Sequence, residues 1–176
     1  SKHIYITGNI LETANVDTPG FIRFVAGTDI VLSDNQLFCT NASVAASGAM
    51  IDVGSNTSTN RVTIKNNIIY NSGGSNVGVL VGIALGIASA NLINNTISGF
   101  YGNPLSYGIL LGTGNFNING NNISSCNAIY SLSAYSSIIT NNTIEGLQDT
   151  SALILTSSLG KNIISNNKIT NSVSTT

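Results

Sequence analysis

Aliphatic and polar residues alternate along the chain in short runs that break at a polar pair. The pattern apolar-x-(Gly/Asp/Asn)-Asn-x-apolar occurs seven times: ITGNIL from Ile6, LSDNQL from Leu32, IKNNII from Ile64, LINNTI from Leu92, INGNNI from Ile118, ITNNTI from Ile139 and ISNNKI from Ile164. Its second polar position is Asn9, Asn35, Asn67, Asn95, Asn121, Asn142 and Asn167, at spacings of 26, 32, 28, 26, 21 and 25 residues. In Ile4-Tyr5-Ile6 and Val62-Thr63-Ile64 the outer residues suit one face of a strand and the middle residue the other. After the polar pair the next inward position is aliphatic again: Leu11, Leu37, Ile69, Ile97, Ile123, Ile144 and Ile169. Each unit also carries a second apolar strand, as in GFIRF from Gly20, GVLVG from Gly78 and GILLG from Gly108.

A unit of this length is too short to bury its own apolar face, so it must stack on its neighbours. Asn, Gly, Thr and Ile at this density oppose helix, which excludes helical solenoids. The pattern therefore predicts stacked strands on roughly three sides of each turn, with corners between. The bend accounts for the asparagine. A tight corner needs a residue at positive φ, which Asn and Gly tolerate best. Stacking then sets one amide above another, so that each donates to and accepts from the next. The residues before the key asparagines, Gly8, Asp34, Asn66, Asn94, Gly120, Asn141 and Asn166, all form turns well.

The units NNIIYNSG, NNTISG and NNKITNS resemble the repeats of right-handed parallel β-helix proteins, the superfamily of pectate lyases, polysaccharide hydrolases and phage tailspikes. The resemblance covers nearly the whole chain. It implies an all-β, single-stranded parallel β-helix (a solenoid) of about seven coils, with an Asn ladder at one corner. It also implies long polysaccharides as ligands, and among tailspikes a trimer of parallel prisms. The chain is expected to be a single domain, residues 1–176, belonging to a larger protein. Its two ends are expected to present open strand edges that favour pairing with other chains.

Composition narrows the function. The chain is 42% hydrophobic and only 7% charged, with net charge −1 and 26 asparagines. It carries no electrostatic footprint for nucleic acid or anionic membrane. The longest apolar run, Val77 to Ala90, is short for a membrane span and is broken by Gly78, Gly82 and Gly86. Cys39 and Cys126 fall about three units apart, beyond disulfide reach. His3 is the lone histidine, so neither a metal site nor a Ser-His-Asp triad is expected, and no cofactor is implied. The five N-glycosylation sequons are those expected by chance in so Asn-rich a chain.

Acids are few. Glycoside hydrolysis needs two carboxyl groups about 5–10 Å apart. Glu12 and Glu145 share a rank in the repeat but lie five units apart. Glu145 with Asp149, or Asp29 with Asp34, are the remaining catalytic candidates, and solvated turn acids are the bland alternative. Arg23 and Asp52 occupy equivalent ranks and are expected to pair across neighbouring units. The expected outward row Leu80, Leu110, Tyr130 and Ile154 is apolar, as an oligomer interface would be. Aromatic residues gather in and near the FYGNP loop. Phe100, Tyr101, Tyr107 and Tyr130 are the candidate carbohydrate contacts, because such rings stack on sugar faces.

The sparse acids favour binding over catalysis. The expectation is a carbohydrate-engaging segment of an extracellular or virion-surface protein, such as a phage tailspike or fibre. It would bind bacterial surface polysaccharide as a homotrimer, without nucleic-acid or membrane partners. A polysaccharide hydrolase or lyase, and a purely structural shaft, are the alternatives.

Overall fold

The protein is described from a computed structural model, which covers residues 3–13, 21–24, 27–40, 48–54, 61–72, 80–100, 103, 106–126, 129–131, 135–147, 153–155 and 160–172. All regular structure among them is strand: β1 (His3–Thr7), β2 (Ile10–Thr13), β3 (Ile22–Phe24), β4 (Asp29–Ser33), β5 (Gln36–Cys39), β6 (Gly48–Val53), β7 (Arg61–Lys65), β8 (Ile68–Asn71), β9 (Leu80–Ile93), β10 (Thr96–Ser98), β11 (Ile109–Asn119), β12 (Asn122–Cys126), β13 (Ile129–Ser131), β14 (Ser136–Thr140), β15 (Thr143–Leu147), β16 (Leu153–Leu155), β17 (Asn162–Ser165) and β18 (Lys168–Ser172). They form two sheets, and every pairing among them is parallel. The smaller sheet has seven strands in the order β18-β15-β12-β10-β8-β5-β2, one per asparagine unit. The larger has eleven and holds both the strand before each asparagine and the second apolar strand.

The two strand types of the larger sheet were expected on separate sides of each turn. In β9 and β11 they run on as one strand of 14 and 11 residues. Glycines stack where the two types run together. A Cβ on Gly112 would run into the carbonyl oxygen of Gly86 in the neighbouring strand.

Alternation fixes the faces. Along β7, Val62 and Ile64 are buried and Arg61 and Lys65 exposed. Leu32, Ile64, Leu92, Ile118 and Ile139 pack against Leu37, Ile69, Ile97, Ile123 and Ile144 of the smaller sheet, all with no exposed surface. Each such isoleucine or leucine contributes about 1.5–3 kcal/mol of burial.

The corner divides its work between two residues. The left-handed conformation expected at the key asparagine falls one residue earlier. Gly8, Asp34, Asn66, Asn94, Gly120, Asn141 and Asn166 have φ between 53° and 69°. That turn frees the following asparagine to point inward. The seven key amides form one file, each Nδ2 donating to the Oδ1 of the next: Asn9 to Asn35, Asn35 to Asn67, Asn67 to Asn95, Asn95 to Asn121, Asn121 to Asn142 and Asn142 to Asn167, at 2.9–3.0 Å. Each backbone N–H of the donor residue points at the same Oδ1, at 2.9–3.1 Å. Five of the seven asparagines are buried.

Candidate functional site

The strands before the corners turn their outward face to an open groove of about 810 Å³ that crosses the larger sheet. Register places two rows of side chains along it. One row is His3, Asp29, Arg61, Ser89, Asn115 and Ser136. The other, two residues further on, is Tyr5, Val31, Thr63, Asn91, Asn117 and Ile138. Six strands at the usual spacing make a track roughly 24 Å long.

The track has a charged end and a neutral end. At the charged end Asp29 sits between two donors: Arg61 Nε at 2.6 Å from Oδ1, and His3 Nδ1 at 2.9 Å from Oδ2. Asp29 is largely covered, whereas the Arg61 side chain is 77% exposed. Solvent at Arg61 keeps this pair weak, worth under ~1 kcal/mol to stability. Tyr5 stands beside it, 69% exposed. At the neutral end Asn117 Nδ2 donates to Asn91 Oδ1 at 3.3 Å, and Ser136 Oγ donates to the Lys161 carbonyl at 2.7 Å. The rest is hydroxyl, amide and short aliphatic surface. The groove can therefore exchange hydrogen bonds along a chain of hydroxyl groups and cover an apolar ring face with Tyr5 or Ile138.

The catalytic pairs expected from sequence do not assemble in this groove. Asp29 and Asp34 stand at opposite ends of one extended strand, roughly 16 Å apart along the backbone, and face different partners. The Asp34 carboxylate takes a hydrogen bond from Asn66 at 3.0 Å, which holds its pKa below the ordinary carboxylate value. Glu145 is exposed on the smaller sheet, and Asp149 lies outside the described residues. Glu12 and Glu145 are on β2 and β15, with β12, β10, β8 and β5 between them. Among the described residues no group of three or more His, Cys, Asp or Glu side chains is placed to hold a metal ion.

The aromatic loop is corrected in part. Phe100 has no exposed surface and belongs to the main core, and Tyr107 is 8% exposed. Neither presents a ring to a ligand. Tyr101 lies outside the described residues, as does the side chain of Tyr130. Gly99, at φ 91°, turns the chain so that Phe100 enters the core, and Gly82 leaves room for its ring. The expected apolar row is also corrected. Register sets Ala84, not Leu80, in line with Arg23, Asp52, Leu110, Tyr130 and Ile154. Leu80 is fully buried. Ala84 and Leu110 are half-buried against a small cluster of Ala49, Val81 and Tyr107, so part of this row is already covered. The side chain of Ile154 lies outside the described residues. Arg23 and Asp52 form the expected surface pair, Nε to Oδ2 at 3.2 Å.

Comparisons of the chain with protein-family models, curated proteins and solved structures give no match. The site therefore rests on its own geometry. Sequence reasoning passed over the groove residues, although the alternation that put Ile4 and Ile6 inward also put Tyr5, Thr63, Asn91 and Asn117 outward in one row.

The two thiols play no part in the groove. Cys39 and Cys126 form no disulfide and are both buried. Burial pushes the Cys126 thiol up to about 12, so it stays protonated and unreactive at neutral pH. The folded protein is expected to resist iodoacetamide at pH 8 and to take up two equivalents in guanidinium chloride. Stoichiometric labelling without denaturant would contradict the burial of both thiols.

Proposed function

We infer that the chain is a single right-handed parallel β-helix of seven coils that binds a long polysaccharide along the groove. The handedness follows the general rule for crossovers between parallel strands of one sheet. The seven-membered amide file supports the coil count. The observation that carries the function is the track itself. It is elongated, lined by hydroxyls and amides in register, and has one exposed aromatic ring at its charged end. A polymer of hydroxylated units fits it better than a compact ligand does. Binding of bacterial surface polysaccharide by an extracellular or virion-surface protein, assembled as a trimer like a tailspike, goes with this reading. Catalysis finds less support, because Asp29 is engaged by Arg61 and His3 and has no second carboxylate across the groove among the described residues.

Affinity electrophoresis against a panel of bacterial surface polysaccharides tests it. At least one is expected to retard the protein, without new reducing ends or unsaturated uronates. Tyr5→Ala combined with Asn117→Ala is expected to weaken that binding at least about tenfold, the loss of roughly 1.4 kcal/mol or more, while Tm stays unchanged. Retardation that the double substitution leaves intact would move the site elsewhere. No retardation by any polysaccharide would remove the binding reading and leave a structural shaft.

A further inference from the structure

The charges of the groove are confined to one stretch and cancel there. Arg61 and His3 both turn a nitrogen to the Asp29 carboxylate. From β9 onward no lining side chain ionises, and the outward rows are Ser89, Asn91, Asn115, Asn117, Ser136 and Ile138. Lys65 is exposed on β7 but does not line the groove. A polysaccharide bearing uronate carboxylates would lay them against hydroxyls and amides, with no cation to replace their lost hydration. A polymer of amino sugars would find no acid there either. The groove suits an uncharged chain.

Within the neutral stretch one row combines three kinds of contact. Asn91, Asn117 and Ile138 are consecutive in register on β9, β11 and β14, about 5 Å apart. Asn117 Nδ2 donates to Asn91 Oδ1 at 3.3 Å. That bond leaves Asn91 Nδ2 without an acceptor and Asn117 Oδ1 without a donor among the described residues. Ile138 is 41% exposed although β11 and β17 flank its strand on both sides. Its exposure therefore belongs to the outward face of the sheet. An amide donor, an amide acceptor and a bare aliphatic group stand in line.

We propose that the groove takes an uncharged polysaccharide with N-acetylated sugars, whose acetamido groups lie on Asn91, Asn117 and Ile138. An acetamido N–H donates to Asn117 Oδ1 beside a methyl that covers Ile138, and an acetamido carbonyl accepts from Asn91 Nδ2. A sugar hydroxyl could make either hydrogen bond, and a 6-deoxy sugar could bring a methyl. The acetamido group alone joins donor, acceptor and methyl in one substituent. This rests on the reading of the groove as a polysaccharide site and adds the class of sugar.

Affinity electrophoresis with three sets of purified polymers tests it: neutral polysaccharides containing N-acetylhexosamine, neutral ones of hexose and 6-deoxyhexose without it, and uronate-containing ones. Retardation is expected from at least one polymer of the first set, and to persist as salt is raised, because no ion pair is made. Asn91→Asp removes the donor at unchanged size, and Ile138→Ser removes the apolar contact. Each is expected to weaken that binding about three- to tenfold, the effect of one lost hydrogen bond or methyl contact. Both side chains are exposed, so folding should survive, which circular dichroism checks. Equal or stronger retardation by a polymer of the second or third set overturns the assignment and leaves the groove a polysaccharide site. Retardation by an N-acetylated polymer that both substitutions leave unchanged overturns it as well. No retardation by any polymer removes the binding itself, and the sugar class with it.

Discussion

Replacing Asn95 by leucine is expected to destabilise the protein by about 3–5 kcal/mol, because each buried polar group left without its partner costs ~1–3 kcal/mol. Asn95 sits in the middle of the file and is 1% exposed. Its Oδ1 receives both the backbone N–H and the Nδ2 of Asn67 at 3.0 Å. Its own Nδ2 donates to Asn121 Oδ1 and to the Ile64 carbonyl, both at 2.9 Å. Leucine makes none of these four bonds: it leaves the Asn67 backbone N–H without its acceptor, while Asn121 Oδ1 keeps only the backbone N–H of residue 95 and Asn67 Nδ2 only the Leu32 and Lys65 carbonyls. Its greater apolarity offsets part of the loss, about 1.5–3 kcal/mol if fully buried, which is why the net falls below the summed penalty. For a chain of this length the shift in Tm is roughly 6–20 °C. Asn9→Leu provides the contrast. Asn9 is exposed, and its Oδ1 accepts from nothing among the described residues, so the change there is expected to stay within about 1 kcal/mol. Thermal and urea denaturation followed by circular dichroism measure both. Equal losses at the two positions would mean that the file is not the element that holds the corners in register.

The same file explains what was legible in the sequence. An asparagine that must meet an identical asparagine in the next unit leaves a fixed motif, and so do the aliphatic residues on either side of it. Repeat, strand direction and most of the core could be read from those positions. Which corner residue turns left-handed could not, since both residues of an Asn-Asn pair tolerate that conformation and only the backbone distinguishes them. The second strand was read with a slipped register. The segment GVLVGIALG, from Gly78 to Gly86, offers several alignments of apolar residues between glycines, and the observed one lies four residues further along. Leu80 was therefore assigned to a surface row that Ala84 occupies. The groove was hidden for a different reason. Alternation gives the outward rows, but not which of them lines an open groove. Phe100 was misplaced because an aromatic residue in a corner loop has the same local sequence whether it turns in or out. Gly99 makes that choice.

Gly99 is accordingly where a single methyl group should do most damage. Its φ of 91° is one that side-chain-bearing residues rarely adopt, and a Cβ there would overlap the carbonyl oxygen of Asn71 and press on its carbonyl carbon. Asn71 cannot retreat easily. It ends β8, its own Nδ2 donates to the Gly99 carbonyl at 2.9 Å, and β8 is hydrogen-bonded to β10 on the same side. Gly99→Ala therefore adds a clash between two backbones to the conformational cost. The expected loss is on the order of 4 kcal/mol or more, in the range that marks a disrupted core or strained backbone. Gly8→Ala separates the two effects. Gly8 also has positive φ, 69°, but nothing lies within 4 Å of its Cβ position, so it should lose only the conformational part, about 1–2 kcal/mol. The difference between the two variants in urea denaturation measures how tightly neighbouring strands approach at this second corner. Because the Gly99 turn also feeds Phe100 into the core, Gly99→Ala should raise proteolysis within the following loop well before global unfolding. If Gly99→Ala and Gly8→Ala cost the same, the close approach of Gly99 to Asn71 is wrong, and with it the account of why Phe100 points inward.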